Sequence, residues 1–287
     1  MDAAYQHRKS GNCMNSTQAR EAARVPPPNH GMHTVNPCPA LAAIVRSFTI
    51  VETISERTST LLPETGVLLG IRYSGSAALL RSSSPQEDLP DWSITGIRDS
   101  SRRICTSAGG GLIVVNLHET GASRLFAAPV LELYNVTASL RDWLPNPSFE
   151  GLQANLSHAH DNRSRIARIE DFLAAQKNTR PPDTMVEAAI RAMRAGRGNI
   201  AIARLAQHIG VSQDRFEKRF RREVGTSPKQ YCSLLRLRFA LNLYQPGRTL
   251  TDIAHAAGYY DQSHFIREFR AVTGEPPLKF LRRSQYW

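Results

Sequence analysis

Beyond about Asp183, apolar residues fall three and four apart, broken by single glycines and prolines, which predicts a series of short helices. The pattern is then written a second time. Ile202, Leu205, Ala206 and Gly210 are matched 48 positions later by Leu250, Ile253, Ala254 and Gly258. Phe216, Phe220, Gly225 and Pro228 are matched 49 positions later by Phe265, Phe269, Gly274 and Pro277. The slip of one residue falls in the turn, "GVS" in the first copy and "GYYD" in the second. Each copy predicts helix, glycine turn, helix. The glycine stands where a left-handed residue ends the first helix. Ser212 or Asp261 offers an oxygen to cap the second. The two phenylalanines, four apart, face one local core.

Between the copies, Ser227-Pro228 reads as an N-cap followed by proline at the first helical position. Tyr231, Leu234, Leu237, Leu241 and Tyr244 mark one continuous helix, ended by "QPG" at 245–247. At ~1.5 Å per residue such a rod is about 27 Å long. It spaces two reading helices at about one turn of DNA, ~34 Å. Thr249 and Asp252 form a capping-box-like restart.

Upstream the texture differs. Residues 1–33 are polar and aperiodic, with "VPPPNHG" as a breaker, and read as a disordered arm. Residues 34–147 read as short strands between turns, best seen in "GVLLGIRYSG" (66–75) and "GGGLIVVNLH" (109–118). "GASRLFAA" (121–128) is a candidate short helix. Leu152, Leu156, Ile166, Ile169 and Leu173 predict two helices, about 148–160 and 161–176, as a connector or a dimerisation seam. Residues 177–182 read as a linker before an all-helical unit at 183–287.

Charge sharpens this division. The chain carries a formal +11, and residues 183–287 hold 18 basic against nine acidic side chains. A basic excess confined to the helical third points to a polyanionic partner. No apolar run approaches the roughly 18–20 residues of a membrane helix. No basic stretch followed by an apolar run opens the sequence, so no secretory leader is expected, and Cys13, Cys38, Cys105 and Cys232 form no CxxC pair or disulfide framework. A cytoplasmic location is expected.

Two helix-turn-helix patterns in register, within a basic segment, are a specific signal. Residues about 183–283 resemble the AraC/XylS family of bacterial transcription regulators. The resemblance lies in "IARLAQHIGVSQDRFEKRF" (202–220), "VGTSPKQY" (224–231), "LRLRFAL" (235–241) and "LTDIAHAAGYYDQSHFIREFRAVTGEPPLKF" (250–280). More weakly, "LPETGVLLGIRYSG" (62–75), the glycine-flanked strand at 109–118 and "RIEDFL" (168–173) are similar to the N-terminal sensor half of some members. The resemblance implies an α+β chain: a mostly-β, cupin-like sensor domain, then an all-α domain with two helix-turn-helix units joined by a linker helix. It further implies double-stranded DNA as partner, RNA polymerase as the contact of an activator, a small-molecule effector and a homodimer. No cofactor is implied.

By position in that family, Asp214, Glu217 and Lys218, with Gln213, fall on the base-reading side of the first recognition helix. Gln262, Ser263, His264 and Arg267 do so in the second. Glutamine suits adenine, arginine suits guanine, and a carboxylate accepts from cytosine N4. Arg215, Arg219, Arg221, Arg222, Lys229, Arg236, Arg238 and Lys279 are phosphate candidates as a group. Two acids in the first helix depart from the basic or amide-rich pattern expected there.

Other motifs carry less. "LPETG" (62–66) spells a sortase signal but precedes a long folded region rather than a C-terminal apolar tail. His158, His160 and Asp161 lack a fourth ligand at zinc spacing, as does the His30–His33 pair. No Ser/His/Asp or Cys/His set has a catalytic context. Two alternatives to a regulator remain open at this level: a nucleic-acid-modifying enzyme targeted by this domain, and a non-specific architectural binder.

Overall fold

The computed structural model describes residues 32–81, 85–144, 148–178, 180–245 and 247–282. Apart from Met32 and His33, the arm expected over 1–33 lies outside them, and so do Cys13 and His30. The N-terminal lobe begins β1 (His33–Val35), β2 (Val45–Thr53), β3 (Arg57–Leu61), β4 (Leu68–Ser74) and β5 (Ala77–Leu80). It continues β6 (Glu87–Asp88), β7 (Trp92–Thr95), β8 (Arg102–Thr106), β9 (Gly110–Leu117) and β10 (Thr137–Ser139). The strands form two antiparallel sheets, ordered β1-β2-β9-β4-β7-β10 and β3-β8-β5-β6. Helices α1 (Leu140–Trp143), α2 (Ser148–Ser157) and α3 (Asn162–Gln176) follow.

Period-two alternation divides the larger sheet into two unlike faces. Phe48, Ile50, Leu69, Ile71, Trp92, Ile94, Ile113 and Val115 point to one side, into a core closed by Phe149, Leu152 and Leu156 of α2 and Ile166, Ile169 and Phe172 of α3. Trp92 meets Phe149 and Phe172 edge to face at 5.2 and 6.0 Å. Their neighbours Thr49, Gly70, Arg72, Ser93, Thr95 and Asn116 point the other way, toward the smaller sheet, and line a cavity. Asp161 accepts from Ser164 N at 2.7 Å and fixes the start of α3. The helix expected at 121–128 is only a 3₁₀ turn, Ala122–Arg124.

The C-terminal lobe is helical: α4 (Thr184–Ala195), α5 (Ile202–Ile209), α6 (Gln213–Val224), α7 (Pro228–Leu243), α8 (Leu250–Ala256), α9 (Gln262–Thr273) and α10 (Pro277–Leu281). The caps fall where the sequence places them. Ser212 accepts from Arg215 N, Ser227 from Gln230 N, Thr249 from Asp252 N and Asp261 from His264 N. Gly210 closes α5 at φ +80. The rod α7 is unbroken; its 16 residues span about 24 Å.

Each helix pair has its own core, and α7 belongs to both. Tyr231, Cys232 and Leu234 join Phe216, Phe220, Val186 and Met193. Leu237 and Ala240 join Phe265, Phe269, Ile253 and Phe280. Two further ties cross between the pairs: Asn199 donates to Ala257 O at 3.2 Å, and Arg236 of α7 reaches Glu268 of α9 at 3.3 Å.

The lobes meet along a continuous seam. Glu119, 3% exposed, follows β9; its Oε1 accepts from Arg46 (3.0 Å), from Tyr231 Oη (3.0 Å) and pairs with Arg194 at 2.7 Å. Burial, with the Glu119 carboxylate beside it, raises the pKa of the Tyr231 hydroxyl, which therefore stays a donor. The C-terminal end of α6 packs on the 3₁₀ turn Val130–Leu133. Arg180 pairs with buried Glu223. On the other side Ser101 donates through N and Oγ to the carbonyls of Val272 and Thr273, and Leu62 enters the core of the second helix pair. Arg238 of α7 pairs with Glu64 at 2.6 Å.

Removing one phenyl ring tests the first helical core. Phe220→Ala is expected to lose about 3–5 kcal/mol of stability, read by denaturant unfolding. The seam is tested at Gly225, where φ is +85 and an added Cβ would lie 2.9 Å from the Val130 carbonyl oxygen. Gly225→Ala is expected to cost more than about 1 kcal/mol and to lower the melting temperature. An unchanged melt would contradict this account of the contact between α6 and the β lobe.

Candidate nucleic-acid interface

The two recognition helices, α6 and α9, bury one face and expose the other. Phe216 and Phe220 are fully buried, and so are Phe265 and Phe269. The helical period then puts Gln213, Asp214, Arg215 and Lys218 on the solvent side of α6, and Gln262, Ser263 and Arg267 on that of α9. Glu217 and His264 are half-buried at the edges of these faces. All eight candidate base readers therefore lie in two patches, each at the start of a helix held by a buried core.

The patches differ in charge. On α6 two of the cations are held by the helix's own acids: Lys218 pairs with Asp214 at 3.0 Å and Arg221 with Glu217 at 3.1 Å, while Gln213 donates to Glu217 at 2.9 Å. Lys218 and Asp214 are each 76% exposed, so their pairing is weak and easily exchanged for a phosphate or base edge. On α9, Arg267 is exposed and carries no ion pair among the described residues. His264 lies 3.2 Å from Glu268, which Arg236 also reaches, and its ring meets Tyr259 edge to face. Gln262 accepts from Thr251 at 2.6 Å.

The phosphate candidates separate into two groups. Arg215, Arg221, Arg222, Lys229 and Lys279 are exposed. Arg222 pairs with Glu223 and Lys279 with Glu275. Arg219, Arg236 and Arg238 are drawn into the protein instead. Arg219 pairs with Asp183 at 2.7 Å, which ties α6 to the start of α4. Arg236 donates to Gly198 O, Ser233 and Glu268 and stacks over Tyr259. Arg238 crosses to the β lobe.

Several residues of consequence escaped the sequence reading. Tyr260, 87% exposed, stands in the turn before α9, beside the reading patch; the extra residue of the second copy was its signal. Glu119 and Arg98 gave no signal, because a single charged residue beside a strand does not disclose its burial. Pro63 and Glu64, within a motif of no apparent use, supply contacts to Arg238. Elsewhere, His158, just past α2, has its Nδ1 2.7 Å from the Ala154 carbonyl of that helix, and among the described residues no group of three His, Cys, Asp or Glu could hold a metal. No described helix is long and apolar enough to cross a membrane.

Comparison with known proteins agrees with this geometry. Residues 205–283 match a family model described as a helix-turn-helix domain. A putative AraC-like transcription regulator of Streptomyces lividans is 35% identical over 77 residues, 26% of this chain and 25% of that protein. The transcriptional activator RhaS of Pectobacterium carotovorum is 31% identical over 83 residues, 29% of each chain. The matched segment thus spans between a quarter and a third of these relatives. Among solved structures, ToxT of Vibrio cholerae superposes with a TM-score of 0.46 at 12% identity, over 82% of this chain and 97% of that one.

Two substitutions separate reading from holding. Arg267→Ala is expected to cost about 1–3 kcal/mol at a preferred site and to relax the base preference there, measured by competition binding. Equal losses on specific and bulk DNA would remove its reading role. Lys229→Ala is expected to weaken binding to all sequences alike and to reduce the salt slope by about one; a changed base preference would contradict a phosphate role. With helix pairs, caps, cores and matched residues in agreement, the C-terminal part of this chain is an AraC-type helix-turn-helix domain.

Proposed function

We propose that the protein is a sequence-specific DNA-binding transcription regulator that inserts α6 and α9 into successive major-groove segments of one duplex. The observation that supports this most is the sharing of α7 by two helical cores, each with its reading face open to solvent. Lys218 and Arg267 are the principal base readers, with Gln213, Asp214, Glu217, Gln262, Ser263 and His264 around them. Arg215, Arg221, Arg222, Lys229 and Lys279 serve the phosphates. Arg219, Arg236 and Arg238 act first as struts that hold the helices in place.

Activation is the favoured sign of regulation, supported by the likeness to a protein named as an activator. RNA polymerase is then the second macromolecular partner. The β lobe acts as the sensor: a cavity of about 380 Å³ lies between its sheets, with Arg238 of α7 in its wall. That volume falls in the range of small-molecule sites, roughly 300–1,000 Å³. The seam at Glu119 and Glu64 links the state of the sensor to the rod.

Selection from a random duplex library tests the reading. The full chain is expected to enrich one motif of two short elements, with affinity falling steeply as salt rises. Recovery of no motif, with retention of bulk DNA alone, would favour an architectural binder instead.

A further inference from the structure

The turns of the two helix pairs are closed by the same bond. Val211 N donates to Ala206 O at 3.1 Å after α5, and Tyr259 N donates to Ala254 O at 2.9 Å after α8. The next helix then starts alike in each copy, with Ser212 accepting from Arg215 N at 3.3 Å and Asp261 from His264 N at 2.6 Å. Tyr259 is thus the counterpart of Val211, and Asp261 of Ser212. The residue left over is Tyr260.

Its position is one that commonly packs. An apolar residue just before an N-cap tends to fold onto the fourth residue beyond the cap, here Phe265. That contact is already made by Tyr259, 3% exposed, whose ring lies 5.1 Å from Phe265 and 5.5 Å from His264. Val211 likewise packs against the first helical core. Tyr260 is 87% exposed, and among the described residues its side chain makes no hydrogen bond and no ring contact. The first copy closes its turn without such a residue, so closure of the second does not require this ring.

What the ring faces follows from its neighbours. Asp261, Gln262 and Ser263 are exposed beside it, and Arg267 stands one helical turn beyond Ser263. When a recognition helix enters the major groove, its first residues meet base edges and the helix before it crosses the backbone. The turn between the two helices then stands at the rim, over the sugar-phosphate strand. A phenol suits that place. Its hydroxyl donates to a phosphate oxygen, and its ring covers apolar sugar surface while the tip stays wet.

We infer that Tyr260 is a DNA contact of the second unit: its hydroxyl donates to a phosphate at the rim of the segment that α9 reads, and its ring lies on the adjoining deoxyribose. This rests on the regulator reading above. The contact is neutral, so it fixes the approach of α9 without releasing counterions and without reading a base. The first unit has no equivalent anchor.

The full chain and its Tyr260→Phe and Tyr260→Ala variants are compared on the duplex that the unaltered chain selects from a random library. Tyr260→Phe is expected to bind about tenfold more weakly, and Tyr260→Ala more weakly again, with base preference and salt slope unchanged in both. Phosphate ethylation maps the contact: one modified phosphate beside the α9 segment is expected to hinder the unaltered chain and to leave Tyr260→Phe indifferent. Melting temperatures are expected to match, and a lowered one would mark a structural role instead. Equal affinity of Tyr260→Phe and the unaltered chain, a shifted base preference, or an ethylation pattern that Tyr260→Phe leaves intact would overturn the inference and spare the regulator reading. A lack of any preferred duplex for the unaltered chain would overturn that reading, and the inference with it.

Discussion

A single helix, Pro228–Leu243, is buried at its two ends in different cores, and the arrangement of the reading helices depends on it. Tyr231 and Leu234 fix its first turns to α4, α5 and α6; Leu237 and Ala240 fix its later turns to α8, α9 and α10. The interior of a protein packs at crystal-like density, so neither pair can slide along the rod without opening a void. Asn199 and Arg236 add polar ties that set the rotation of one pair against the other. Two modules that look independent in sequence are thereby packed as one unit.

The β lobe is built on a different constraint. Its larger sheet is dry on the face toward α2 and α3 and mixed on the face toward the smaller sheet, where Leu68, Leu112 and Val114 stand among Thr49, Arg72, Ser93, Thr95 and Asn116. Polar groups buried there are costly without partners, and Arg98, in the loop after β7, keeps a buried Nη1 with no hydrogen-bond partner. Natural sheets more often fill such a space with aliphatic side chains. Here the space stays open, four arginines among its lining residues, and Arg238 of α7 stands in its wall, so the cavity and the helical lobe share a residue. Glu119 supplies the second link, one carboxylate oxygen joining Arg46 of the β lobe to Arg194 and Tyr231 of the helical lobe.

Much of the helical lobe was legible because it is written twice. A glycine, a capping oxygen and two phenylalanines at fixed spacing are local signals, and each element answers to its own neighbours. The β lobe was legible only in outline. The alternation in β4 and β9 announced strands, but not which face would stay dry, because that depends on helices more than thirty residues away. Arg219, Arg236 and Arg238 read as generic phosphate contacts, since sequence gives the charge and not the partner; Asp183, Glu268 and Glu64 are distant in the chain. The burial of Glu119 and of Arg98 follows from tertiary contacts alone.

Interference by guanine-N7 methylation on an isolated target duplex tests the packing of both helix pairs as one unit most directly, since it maps major-groove approach base by base. The account requires two clusters of interference on one face of the duplex, about one helical turn (roughly 10 bp) apart, with Arg267→Ala erasing one cluster and sparing the other. A single cluster, or clusters whose spacing varies freely between sites, would contradict it.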